Sequence, residues 1–132
     1  MELLRQLVGL LINLGVPVGG VALFIWLRKR MGPEHPSPIV VFLLFAHYGA
    51  WLVLILTIAF WYWSGMATLG MTYLMSAGSV VMLVLAVLTY KERARSIYHR
   101  IVFVASAAHL IPVGLVVLLT WLLLAAFHYG SR

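Results

Sequence analysis

An all-α integral membrane protein, a bundle of four antiparallel helices, is the fold class this sequence predicts, and three observations predict it. Of the 132 residues, 64% are hydrophobic and 9% charged, with a mean hydropathy of +1.08, which is far too apolar for a soluble domain of this size. The apolar residues fall into four blocks, each close to the roughly 20 residues that a helix rising about 1.5 Å per residue needs to cross about 30 Å of hydrocarbon. Finally, Ile39 to His47 (IVVFLLFAH) returns as Ile101 to His109 (IVFVASAAH), with Ile39/Ile101, Val40/Val102, Ala46/Ala108 and His47/His109 identical at a constant offset of 62 residues. The same offset brings Lys29 onto Lys91. The chain reads as one domain, 1–132, built from a duplicated helical hairpin, with spans at about 4–27, 39–63, 67–90 and 101–128.

The first span ends where Arg28, Lys29 and Arg30 put three charges in a row. Gly15 and Gly19 form a GxxxG pair widened by Gly20, a notch that lets a second helix or a flat ligand approach the backbone. Pro17 between them predicts a kink, and Asn13 is polar glue toward another helix. Met31 to Pro38 holds three prolines, which forbid continued helix. His35 in that loop has no assigned role. The second span closes in Trp61, Tyr62 and Trp63, rings suited to the headgroup level, and the turn Ser64 to Met66 is so short that spans two and three must be antiparallel neighbours. In the third span Ser76, Ala77, Gly78 and Ser79 are a run of small residues. Lys91, Glu92, Arg93 and Arg95 end it, and a short loop through His99, expected to be wet, and Arg100 leads into the fourth.

Seven of the nine Lys and Arg residues lie in the two loops joining spans one to two and three to four. The positive-inside rule makes the side of those loops cytoplasmic, or matrix in an organelle, with both termini opposite; the expected location is a bacterial inner membrane with the termini on the periplasmic side. The formal charge of +6 therefore sets topology. It does not mark a nucleic-acid surface, because no basic patch is interleaved with aromatics. The absence of cysteine excludes disulfides, thiolate-bound metals and iron–sulfur clusters within the chain. One acid and one base precede a long first span, so no cleaved signal peptide is expected. Glu2, Glu34 and Glu92 are the only acids, all near helix ends or in loops, which argues against a proton-coupled transporter. No hydrolytic motif is present, so a redox or accessory subunit is expected rather than a stand-alone enzyme.

His47 and His109 are then the residues that need a reason, since an unpaired imidazole in hydrocarbon costs several kcal/mol. Each stands eight residues into its repeat, hence at one depth. With the second and fourth helices diagonal across the core, the two rings face each other, and a porphyrin iron fits between them at about 2.0 Å from each ring nitrogen. The other nitrogen of each ring is free to donate to the carbonyl one turn back, at Leu43 or Ala105. Gly15, Gly19, Gly20, Ala77, Gly78 and Ser79 leave room for the macrocycle's edges, and propionates reach toward Lys29, Lys91 or Arg100.

This arrangement resembles the haem-bearing four-helix bundle of membrane cytochromes b, in the helix plan of the whole chain and in one histidine pair. The resemblance implies an electron-transfer subunit with one haem b, axial ligands His47 and His109, and glycines of the first and third helices against its edges. Exchange with a quinone or a partner redox subunit would follow. Many such cytochromes carry a second histidine about four turns along each ligand helix; here those places hold Trp61 and Leu123, so at most one haem is implied. Other readings of the same residues stay open. Each histidine could hold its own (bacterio)chlorophyll, with Trp51 and glycines as a flat wall. Alternatively the chain is a cofactor-free structural subunit of a larger respiratory or photosynthetic complex, or a homo-oligomer, its histidines bonded to Asn13, Ser76, Ser79 or Ser106 as packing glue.

Overall fold

The computed structural model describes residues 1–33, 35–60 and 65–130. They form α1 (Glu2–Met31), α2 (Pro38–Phe60), α3 (Gly65–Thr89), a short 3₁₀ turn (Tyr90–Glu92), α4 (Ile97–Ala107) and α5 (Leu110–Gly130). Four stretches are long and apolar enough to cross a membrane: Glu2–Met31, Pro38–Phe60, Gly65–Glu92 and Ile97–Gly130. The expected all-α four-helix membrane bundle is thus present, with α4 and α5 sharing the fourth span. The aromatic cluster Trp61 to Trp63, Ser64 and Glu34 fall outside the described residues.

The helices begin and end on identifiable chemistry. The charges of Arg28, Lys29 and Arg30 end the span but not the helix, which runs on to Met31. Cations suit a helix C-terminus, whose last carbonyls are unpaired, and their apolar stems still lie along the span. Arg30 stacks over Trp26 with its guanidinium carbon 4.9 Å from the ring centre. Gly32, at φ 65°, stops the helix in a conformation that a residue with a Cβ rarely takes. Pro38 opens α2, where a missing N–H is no loss, and the Ser37 carbonyl accepts from Val41 N–H at 3.1 Å. Ser96 caps α4, so that helix starts before Ile101. Its hydroxyl accepts from the His99 backbone N–H and lies 2.8 Å from His99 Nδ1. His99, expected to be wet, is instead only 5% exposed: the cap folds its ring back onto the helix start.

The packing is not a closed square. α1 lies along α2, while α3 is the central helix, packed on α2, α4 and α5. Val41, Leu44, Met82 and Val102 form the buried core, flanked by Phe24, Phe45 and Leu85. Toward the membrane middle α3 and α4 come close enough to enclose Ser79 and Ser106 completely, the use of small residues expected where no hydrophobic force drives helices together. The notch of α1 is not used in this way, since no atom lies within 4 Å of a Cβ built on Gly15, Gly19 or Gly20.

The fourth span, expected to be continuous, breaks at Ala108 and His109. Pro112 is the cause. It has no N–H for the Ala108 carbonyl and its ring would collide with that carbonyl in a regular helix, so the chain stops and restarts with Pro112 in the first turn of α5. At the break the His109 N–H bonds to Ser106 and the Ile111 N–H to Ala108, one residue tighter than α-helical spacing.

Candidate functional site

The break positions a side chain. Once the His109 N–H has moved to Ser106, the carbonyl of Ala105 is released from its helical partner and must find another in a medium without water. Two side chains supply it: the Tyr48 hydroxyl donates from α2 at 2.7 Å and His109 Nδ1 donates at 3.0 Å. The ring of Tyr48 also stands edge-on to that of His109, centres 4.6 Å apart. Because Nδ1 carries the proton, Nε2 of His109 carries a lone pair. That nitrogen is buried and has no partner among the described residues, in a residue only 2% exposed.

His47 comes to meet it from α2, the two ring centres lying 5.0 Å apart with planes inclined by 41°. Trp51, one turn on and therefore on the same face of α2, aims its Nε1–H between Ser79 Oγ at 3.1 Å and His47 Nε2 at 3.2 Å. Ser79 Oγ is 2.9 Å from His47 Nε2 and 3.1 Å from the Met75 carbonyl. The serine has one proton to give. If it goes to Met75, His47 donates from Nε2 to Ser79, Trp51 donates to Ser79 alone and Nδ1 is bare; if it goes to His47, Nε2 accepts from Ser79 and Trp51 and Nδ1 is the protonated atom. Gly78 is what lets the ring lie there, because a Cβ at that position would stand 2.7 Å from His47 Cε1 and 3.3 Å from Nδ1.

The structure thus brings together His47, His109 and Gly78, and adds Trp51, Tyr48, Ser79 and the carbonyl of Ala105. It does not bring in the glycines of α1. Gly20 lines a separate cleft on the other side of α2, and Gly15 a shallow depression beside Leu56 and Phe60. Arg100 is exposed in the first turn of α4. The donation expected from His109 to Ala105 is present; His47 uses Ser79 and Trp51 in place of Leu43. Two features carried a readable signal: Trp51 at i+4 from His47, and Pro112 three residues after His109. The reach of Tyr48 across to another helix carried none.

Could this pair hold an iron? Among the described residues no three His, Cys, Asp or Glu side chains converge, so a bare ion would lack ligands, whereas a macrocycle supplies four nitrogens and needs only the axial pair. A neutral imidazole with a bare buried nitrogen and its other nitrogen pinned to a carbonyl is the donor such a metal takes. The spacing is tighter. Two imidazoles on opposite faces of a porphyrin put their ring centres about 6 Å apart, with metal–nitrogen bonds of about 2.0 Å, against the 5.0 Å found. The donor chemistry fits, while the 5.0 Å spacing and the 41° tilt of the rings mean that α2 and α4–α5 would have to part and His47 to turn before such a group could sit between them. His47 Nε2 would also leave Ser79 and Trp51.

Replacing Pro112 with alanine should rejoin α4 and α5, return the His109 N–H to Ala105 and weaken the bond that fixes the imidazole. In ¹⁵N spectra of histidine-labelled protein, His109 is expected to change from one dominant tautomer to a mixture. An unchanged single tautomer would show that the break does not set the ring.

No family model, curated protein or solved structure matches the chain.

Proposed function

We propose that the chain is a small cytochrome b-like subunit that carries one haem b between His47 and His109 and passes electrons within a larger membrane complex, to a quinone or to a partner redox subunit. The observation that carries this is the bare, buried Nε2 of His109. A histidine that merely glues helices has both nitrogens bonded, and leaving one lone pair unmet in hydrocarbon costs of order 1–3 kcal/mol. When bound, the haem supplies one-electron chemistry. The chain's own residues do the rest: Ala105 and Tyr48 hold the His109 ring at a fixed angle, Gly78 clears the floor beside His47, and the apolar walls exclude water. By the distribution of basic residues the subunit sits in a bacterial inner membrane with its termini on the periplasmic side.

A second reading is favoured by the engagement of His47 Nε2 with Ser79 and Trp51. In it the pair is a cofactor-free clamp joining α2, α3 and α4, and the chain is a structural subunit. One measurement separates the two: the visible spectrum of the detergent-purified protein with and without dithionite. A Soret band and an alpha band that sharpens on reduction are expected. Far-red bands would mean a chlorin, and a featureless spectrum after expression with ample haem would leave the clamp.

A further inference from the structure

A second site lies on the opposite face of α2 and owes nothing to the histidines. α1 and α3 diverge on either side of α2 and leave a cleft of about 850 Å³, within the range of small-molecule pockets. It runs beside α1 from Asn13 to Ile25, about 18 Å at about 1.5 Å per residue. At one end Phe24 stands edge-on to Phe42 and Phe45, ring centres 6.1 and 6.0 Å away. At the other are Asn13 and Thr57, its two side chains with hydrogen-bonding heads.

Thr57 differs from three other threonines of the chain. Thr72, Thr89 and Thr120 each return their hydroxyl to the carbonyl one turn back at 2.8 Å. Thr57 makes no such bond among the described residues and lines the cleft. Asn13 donates one amide hydrogen to the Gly9 carbonyl at 2.8 Å, which leaves Oδ1 and its second hydrogen. Pro17, four residues on, has no N–H to give the Asn13 backbone carbonyl. An unmet donor and unmet acceptors therefore line one end of an apolar cleft, on an exposed Asn13 and a half-buried Thr57, in a medium that offers no water.

We propose that this cleft binds a membrane-dissolved lipid with an uncharged hydroxyl head, aliphatic or phenolic, whose chain runs from Asn13 and Thr57 toward Phe24. A hydroxyl both donates and accepts, so a single group answers Asn13 and Thr57 at once. No Lys, Arg or His lines the cleft, so a phosphate head would have no counter-charge there.

The test is photolabelling of the protein in phosphatidylcholine nanodiscs with a diazirine-bearing hexadecanol. Saturable labelling of 13–25 and 42–57 is expected, cut at least tenfold by excess unlabelled hexadecanol and in an Asn13→Leu, Thr57→Val double variant. Gly20→Leu, whose Cβ has nothing within 4 Å, should narrow the cleft and weaken labelling in a folded protein. Competition by farnesol or by an alkylhydroquinone tells an aliphatic source from a phenolic one. Equal, saturable labelling by the methyl ether of the probe, unsaturable labelling, or a double variant labelled like the parent would overturn the proposal. His109→Ala should leave the labelling unchanged, so failure here and failure of the haem reading are distinguishable.

Discussion

Under the haem proposal, purified His109→Ala protein is expected to lack the reducible Soret and alpha bands, and His47→Ala likewise. Each variant removes one of the two imidazoles that would hold the group. His99→Ala is the informative control. His99 is also buried, but its Nδ1 is matched to Ser96, so that variant should keep its full haem content. Full retention of haem by both pair variants would refute the axial assignment. The pattern also separates chemistry from folding, because a general loss of structure would remove haem from all three.

Gly78→Ala is the substitution expected to harm the fold most per atom added. Its Cβ would meet His47 Cε1 at 2.7 Å, closer than carbon atoms approach, so the imidazole must leave its place against Ser79 and Trp51. Overpacking of this kind costs about 1–3 kcal/mol. The expected result is a lower unfolding temperature in detergent. Gly114→Ala gives the opposite sign: nothing lies within 4 Å of its Cβ, and alanine is the better helix former by about 0.5–1 kcal/mol. Equal stability of Gly78→Ala and the parent would mean that the ring does not rest on α3. Under the clamp reading Gly78→Ala still destabilises, while under the haem reading it also lowers haem content. The two measurements together therefore tell which role His47 has.

Four spans and the meeting of His47 with His109 were legible in the residues, for one physical reason. Hydropathy and repeat offset are local properties, and a bilayer of fixed thickness turns position along a helix into depth. Helix ends were less legible. Arg28 to Arg30 mark where hydrocarbon stops, but a helix can continue through the interface, and α1 does so to Met31. The burial of His99 followed from a cap at Ser96 that hydropathy does not register.

What the sequence by itself determined is thus the class of protein, its span count and the two imidazoles at one depth. The tertiary structure alone decided which faces meet. α1 lies on the outside of α2, so Gly15, Gly19 and Gly20 stand apart from the histidines, and a cleft ending in Asn13 and Thr57 opens instead. Only in three dimensions does the helix break at Pro112 become a released carbonyl at Ala105, recaptured by Tyr48 from another helix. The reason is that spans apolar on nearly every side carry little record of their own orientation. Rotation about each axis is settled by contacts between small residues and by a few buried hydrogen bonds, and those exist only once the helices have come together.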